Sequence, residues 1–413
     1  MRILRVPSIL RLAHACEPLH MTALLVTAAV AFGCGGDKKP PVAPNNPGGG
    51  VPATMSAEVQ RKFDAAMDGF VGHDKAANWN DAACAATASA FEAAVDEAPS
   101  KQLPAATYNA GLAWQRCSND KEAKARFQKA LADDPKFHYA RAQLALYDFK
   151  ENKDVNRAIT ALEQAVEDAD FLNVPAFVNL ALLQMQRDSA TIGRNCNVGK
   201  ALGDFECARL NLQRALAIDD SYMPAFNQLA LYYFTAAKKR ATKGTARMGR
   251  QMATNAAMQK RADVQQLELA GLVCSQAIRK NARYAPIHNT AGLILNELGQ
   301  VNAAVSSFQV ATSLDPRFFE AQMNLAAVNL SFRGFDKARD AYQEALKMQP
   351  NDYDAHLGLA LALRGLINET NYDAQVAAVQ AELDAAKRID GPRPDAYYNE
   401  GILIQEFKAK AGG

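Results

Sequence analysis

The residue types that most often carry out chemistry in proteins form no catalytic arrangement in this sequence. Its six histidines lack the close spacing of a metal site. They are His14, His20, His73, His138, His288 and His356. A glycine-rich phosphate loop, a nucleophile elbow and a Cys-x-x-Cys pair are also missing from the sequence. We therefore predict a protein that is not an enzyme and uses no metal, cofactor or small-molecule substrate. The alternative is a catalytic acid–base pair assembled from segments that are distant in sequence.

A second candidate for chemistry is Cys34, which follows an apolar run near the start of the sequence. Three arginines precede the apolar run MTALLVTAAVAF, which is too short to span a bilayer and is typical of a secretory signal. The run ends at AFGC, which resembles the bacterial lipobox, whose cysteine is acylated. Ordinary signal cleavage after Ala31 is the alternative. We predict a signal peptide over residues 1–33 and a lipid anchor on Cys34.

Residues 34–55 are rich in glycine and proline and predict a disordered tether between the anchor and a folded body. Acyl chains on the cysteine would hold the protein on a membrane. Glycine follows the cysteine where some lipoproteins have aspartate, which by resemblance to enteric lipoproteins implies sorting to the outer membrane. The predicted location is the periplasmic face of the outer membrane.

The rest of the chain repeats with a period of 34 residues. The segment AGLILNELGQVNAAVSSFQVATSLDP, residues 291–316, returns as LAAVNLSFRGFDKARDAYQEALKMQP, residues 325–350. Equivalent pairs are Ala304 and Ala338, Phe308 and Tyr342, Ala311 and Ala345, and Pro316 and Pro350. A period of this length indicates stacked helix pairs, in which the alanines and the aromatic residue share one face of the second helix.

Other copies keep the same internal spacing. One contains Gly111, Ala123, Phe127, Ala130 and Pro135, and looser copies follow with insertions. Gly111, Gly292 and Gly401 lie inside helix patterns, where glycine costs about 1 kcal/mol relative to alanine. We therefore expect close approach between helices at these positions. The histidines His288 and His356 recur at equivalent places, which favours packing over metal binding.

This pattern resembles the tetratricopeptide repeat, a helix-turn-helix unit of 34 residues. The resemblance covers residues 56–413 and implies an all-α fold, a right-handed superhelical solenoid of antiparallel helix pairs. We expect about seven pairs, with insertions near residues 188–204 and 236–264 and a C-terminal capping helix over residues 395–411. That last helix could instead be half of a unit completed by another protein.

Five cysteines remain in the folded body after Cys16 and Cys34 are set aside. Cys84 near the start of one second helix and Cys117 near the end of the next first helix fall on the same rim of the array. Cys196 and Cys207 bracket an inserted loop. We predict disulfides between the members of each pair and a buried, free Cys274, against the alternative of reduced cysteines throughout.

Side-chain amides recur just before the small residues of the first helices. They are Asn109, Gln143, Asn179, Gln228, Asn324 and Asn399. Thr290 and Gly358 interrupt the series. By resemblance this position faces the concave groove of the array, where a row of amides could bind the backbone of an extended peptide. The alternative is hydrogen bonding within the array. The lysine and arginine set by which chaperone-binding members of the family clamp a terminal carboxylate is absent.

The second insertion is strongly basic. It carries Lys238, Lys239, Arg240, Lys243, Arg247, Arg250, Lys260 and Arg261. The chain has a net charge of +2, and residues 1–33 account for all of it, so the remainder without this insertion carries about −8. This segregation of charge predicts that the insertion forms an arm that contacts anionic lipid, peptidoglycan or an acidic partner. The alternative is a solvated extension of two helices with no binding role.

The predicted function is a lipid-anchored scaffold that holds protein subunits of an envelope complex. The chain resembles tetratricopeptide lipoproteins of the myxobacterial gliding apparatus and, more generally, pilotins of type IV pili. The alternative function is regulation of cell-wall synthesis or hydrolysis through the basic insertion. Nucleic acid is not an expected partner, because the protein is predicted to be exported.

Overall fold

The computed structural model describes residues 56–76, 78–190, 202–246 and 253–406. Within these ranges the chain forms seventeen α-helices, one short 3-10 helix and no β-strand. No helix of the described ranges is both long enough and apolar enough to cross a bilayer. The predicted signal peptide, Cys34 and the tether lie outside the described residues.

The chain divides into two compact units at Tyr232. The described part of the first unit contains α1 (Ala57–Ala76), α2 (Asp81–Glu97), α3 (Pro104–Arg116), α4 (Asp120–Asp133), α5 (His138–Asn152), α6 (Val155–Asp168), α7 (Val174–Arg187) and α8 (Asp204–Ile218). Helix α9 (Met223–Ala246) contains the point of division. The second unit contains α10 (Ala253–Lys280), α11 (Ala285–Glu297), α12 (Val301–Leu314), α13 (Phe319–Ser331), α14 (Phe335–Met348), α15 (Tyr353–Gly365), α16 (Tyr372–Ile389) and α17 (Pro394–Glu406).

Consecutive helices pack against each other as hairpins within each unit. The hairpins are α1–α2, α3–α4, α5–α6 and α7–α8 in the first unit, and α11–α12, α13–α14 and α15–α16 in the second. Each hairpin also packs on the next one in its unit, and α17 packs on α16. The predicted all-α fold of packed helix pairs is confirmed. The right-handed superhelical path stays a prediction.

Aromatic side chains of the second helices fill the space above glycines of the first helices. A Cβ atom built on Gly111 would lie 2.7 Å from the ring of Phe127, and one built on Gly292 would lie 2.5 Å from the ring of Phe308. Both rings are fully buried. Since burial of such a ring stabilises the fold by about 1.5–3 kcal/mol, the contact offsets the helix-propensity cost of the glycine.

Side chains at the helix starts explain why the hairpins turn where they do. The Asn119 side chain accepts a hydrogen bond from the Glu122 backbone N–H at 3.2 Å at the start of α4. Proline occupies the first turn of α3 and of α11, where no intrahelical donor is lost. These local signals divide the sequence into helices of 13–15 residues in most repeats, short enough to need their neighbours for stability.

A disulfide joins the first two hairpins. Cys84 in α2 and Cys117, directly after α3, are bonded, with their Cα atoms 6.4 Å apart. The predicted pair therefore meets at the rim of the array. Cys274 in α10 is buried and free, and its burial raises the pKa of the thiol to about 12. Cys207 is disulfide-bonded, but Cys196 lies outside the described residues, so their pairing stays a prediction.

An ion pair holds the two ends of the first insertion together. Asp204, fully buried at the start of α8, accepts hydrogen bonds from Arg187 at the end of α7, at 2.6 and 2.7 Å. The same carboxylate accepts the backbone N–H of Ser189 at 2.9 Å. Hence α7 and α8 meet as a hairpin although residues 191–201, outside the described residues, separate them in sequence.

Two long helices account for the described part of the second insertion. Helix α9 has 24 residues and α10 has 28, about twice the length of the helices in the complete repeats. Of the basic residues, Lys238 lies 3.5 Å from the Glu297 carboxylate and over the ring of Phe234. Lys239 is half-buried, and the side chains from Arg240 to Arg261 lie outside the described ones. The binding role of this arm stays a prediction.

Candidate partner-binding surfaces

The amide row is buried in the structure, which corrects the prediction of an accessible peptide-binding ladder. Five of its six members expose 9% or less of their surface: Asn109, Gln143, Asn179, Gln228 and Asn324. Asn399 in α17 is half-buried. Neighbouring helices cover the position, so an extended peptide has almost no amide surface to contact.

The buried amides hydrogen-bond within the array instead. Asn109 donates to the backbone carbonyl of Ala105 in its own helix at 2.9 Å. Asn324 in α13 donates to the Asn289 side chain in α11 at 2.9 Å, and thereby joins two successive first helices. Such bonds satisfy buried polar groups and fix the register between hairpins. At Gly358 the repeat has no side-chain amide, and the ring of Tyr342 occupies the space that an amide would take.

A buried polar network links α3, α4 and α5 in the first unit. The Gln115 side-chain amide donates to Gln143 at 3.4 Å and to the Tyr147 hydroxyl at 3.3 Å. Tyr147 donates in turn to Asp120, which also pairs with Lys150. Burial raises the pKa of the Tyr147 hydroxyl, so the phenol is neutral and able to donate. The network fixes the positions of α3, α4 and α5 relative to one another.

The leucines beside the amide row are core residues. Leu112, Leu146, Leu182 and Leu231 each expose 8% or less of their surface. Nearby, Arg116 donates two hydrogen bonds to Asp74 at 2.9 and 3.1 Å, and both side chains are largely buried. Trp79 donates to the same carboxylate at 2.7 Å. A charged pair of this kind fastens α1 to α3 and leaves little surface for a ligand.

The histidines of the repeats bind backbone carbonyls. Nε2 of His288 lies 2.8 Å from the Ala282 oxygen, and Nε2 of His356 lies 2.9 Å from the Pro350 oxygen. Nδ1 of His356 lies 2.5 Å from the Glu382 carboxylate, which raises the pKa of the imidazole. Acceptors near both nitrogens favour the imidazolium form, and the contact with Glu382 joins α15 to α16. In the part of the chain that the structure describes, no three or more His, Cys, Asp or Glu residues gather as a metal site.

Exposed apolar side chains occur at a few places. Phe171 and Leu172, in the turn between α6 and α7, expose 47% and 61% of their surface. On α17, Tyr397, Tyr398 and Ile404 expose 51%, 66% and 47%. Exposed apolar surface of this kind marks possible contact sites for other molecules. The sequence analysis did not identify these residues one by one. The signal available for α17 was that its sequence has the pattern of a first helix of a repeat.

Comparison with known proteins matches one of the hairpins to a known repeat family. Residues 285–318 match the model of the tetratricopeptide repeat, and this range contains the α11–α12 hairpin. Hsp70-Hsp90 organizing protein 1 of Glycine max is 23% identical over 133 residues, which are 32% of this chain. The chain spans about a quarter of that relative's length, since the match covers 23% of it.

Solved structures of repeat proteins also resemble the chain. TTC0263, a tetratricopeptide repeat protein of Thermus thermophilus, has 24% sequence identity and a TM-score of 0.42, covering 55% of this chain and 99% of that one. The pilF protein of Pseudomonas aeruginosa has 15% identity and a TM-score of 0.44, covering 65% of this chain and 98% of that one. The α3–α4 hairpin repeats the aromatic-against-glycine contact of the matched α11–α12 hairpin. The match at residues 285–318 identifies one tetratricopeptide repeat among the packed helix hairpins of the second unit.

Proposed function

We propose that the protein is a non-enzymatic scaffold that binds other proteins through its helix hairpins. The observation that carries this proposal is the repeated hairpin itself, with the same aromatic-against-glycine contact at Phe127 and at Phe308. Repeats of this kind contact mainly their neighbours and present long surfaces, which suits them to binding proteins. The buried amides and histidines serve the array, so binding depends on side chains that remain exposed.

The proposed setting is the periplasmic face of a bacterial outer membrane, with the scaffold anchored by acylated Cys34. The support is the AFGC motif and the glycine- and proline-rich segment after it. The Cys84–Cys117 disulfide agrees with an exported protein, since such bonds persist in oxidising compartments. A gliding-motility or pilus-type complex is the proposed partner class, by resemblance to lipoproteins of those systems.

Two measurements test the proposal. Affinity purification after cross-linking should recover subunits of an envelope complex; recovery of cell-wall enzymes alone would favour regulation of the wall. Intact-mass measurement should show an acylated N-terminus at Cys34, and a Cys34→Ala variant should leave the membrane fraction. An unacylated chain that begins at Phe32 would contradict the lipid anchor. The scaffold function would still be tested by the affinity purification.

A further inference from the structure

The last described helix, α17, has the form of a first helix of a repeat but lacks a second helix against it in the described residues. It has 13 residues with glycine at the eighth position, as do α3 and α11. The three sequences are PAATYNAGLAWQR, APIHNTAGLILNE and PDAYYNEGILIQE. One face of α17 is fixed in the second unit, where Ala396 and Leu403 are fully buried.

The opposite face of α17 is open at the position that other repeats fill with an aromatic ring. A Cβ atom built on Gly401 meets nothing within 4 Å, whereas Gly111 and Gly292 have a phenylalanine ring in that place. Tyr398 is 66% exposed, while Tyr108 at the equivalent position of α3 is 4% exposed. The difference arises because α4 and α5 cover α3, and no described helix covers α17 in the same way.

A capping helix does not account for these residues. Terminal caps of repeat arrays carry a polar outer face, which keeps the array soluble. Here the outer face carries Tyr397, Tyr398 and Ile404 around a glycine. A glycine in an exposed helix costs about 1 kcal/mol relative to alanine, and nothing in the structure offsets that cost at Gly401.

We propose that the open face of α17 binds a helix of a partner protein, in the place that α4 takes on α3. The partner helix would carry the pattern Ala-x-x-x-Phe/Tyr-x-x-Ala, whose aromatic ring seats on Gly401, as Phe127 seats on Gly111. Of the three acidic residues in α17, Glu400 pairs with Lys387 at 2.9 Å and Asp395 lies 3.7 Å from Arg393. The fit of an aromatic ring and small residues around Gly401, rather than charge, therefore selects the partner helix.

This inference names the sequence pattern of a partner that the proposed scaffold would bind. It rests on the proposed function in one respect, which is that the partner is a protein. A suitable probe is a peptide of the α4 sequence, DKEAKARFQKALAD, which has the required pattern. A staple between the exposed positions 121 and 125 would keep the isolated peptide helical. Fluorescence anisotropy would measure its binding to the full chain.

Two matched variants make the test specific. Gly401→Leu fills the space for the ring and favours the helix, so binding should fall by about tenfold or more, the loss typical of a central aromatic anchor. Gly69→Leu, at an exposed helical glycine of α1 with equally open surroundings, should leave binding unchanged. A peptide with alanine in place of Phe127 should lose affinity to the same extent as the Gly401→Leu variant.

Absence of peptide binding, or equal binding to wild type and Gly401→Leu, would overturn the inference. Self-association of the wild type that disappears in Gly401→Leu would also overturn it, since the occupant would then be a second copy of the chain. Either result would leave cross-linking to envelope subunits unaffected, so it can be told apart from failure of the scaffold function.

Discussion

Replacing Gly292 by alanine tests the contact on which the repeat packing depends. The new Cβ atom would lie 2.5, 2.7 and 2.8 Å from three carbons of the Phe308 ring, which is fully buried. Relief requires movement of the ring within a packed core, a type of overpacking that costs about 1–3 kcal/mol. Alanine favours the helix by about 1 kcal/mol, so the net loss of stability should be about 1 kcal/mol.

Gly271→Ala is the matched control, because Gly271 lies mid-helix in α10 of the same unit and has nothing within 4 Å of its Cβ position. That variant gains the same helix propensity without a clash and should be stabilised by about 0.5–1 kcal/mol. The difference between the two variants, about 2 kcal/mol, removes the propensity contribution and isolates the contact with Phe308.

Urea unfolding followed by circular dichroism would measure the free energies of both variants. Since stacked repeats need not unfold in a single step, hydrogen exchange of the α11 and α12 amides would serve as a local readout. Equal stabilisation of the Gly292→Ala and Gly271→Ala proteins would refute the aromatic-against-glycine account of the packing.

Three further predictions concern single contacts. Replacing both Cys84 and Cys117 by serine should lower the free energy of unfolding by about 3–4 kcal/mol, from the entropy of a loop whose ends are 33 residues apart, and urea unfolding that matches wild type would contradict this. The pKa of His356 in the folded protein should exceed 6.5 by NMR titration, because the Glu382 carboxylate favours the imidazolium. Its contribution to stability is therefore full below pH 6.5 and is lost as pH rises through the folded pKa, and a folded pKa at or below 6.5 would disprove the pairing. Asp204→Asn should destabilise the α7–α8 hairpin by about 1.5–3 kcal/mol, since it removes the charge from the buried carboxylate that accepts hydrogen bonds from Arg187 and Ser189; unchanged hydrogen exchange in α8 would count against this role.

The fold could be predicted from the sequence because its signal is repeated. The spacing of Ala304, Phe308 and Ala311 depends on one helix face and recurs in other hairpins, so local pattern and packing agree. The Cys84–Cys117 bond followed from the same register, since two positions on one rim of adjacent hairpins must lie close together. The bounds of the two insertions, near residues 188–204 and 236–264, stay predictions.

Burial of the amide row could not be read from the sequence. Asn324 is a polar side chain at a position that faces a groove in related arrays, and its full burial depends on the fit of neighbouring helices. Exposure of Phe171 and Leu172 is equally a tertiary property, because the same apolar residues would suit a core. Periodicity identifies which residues share a face, and only packing shows whether that face is covered.

Cross-linking mass spectrometry on living cells tests the central claim most directly. The full chain would be cross-linked in the cells that produce it, purified and digested, and the linked residues assigned. A protein-binding scaffold predicts links between other proteins and the hairpin helices over residues 57–406, with loss of most of these links when the hairpins are unfolded by substitution. Links confined to the basic insertion or to further copies of this chain would contradict the account.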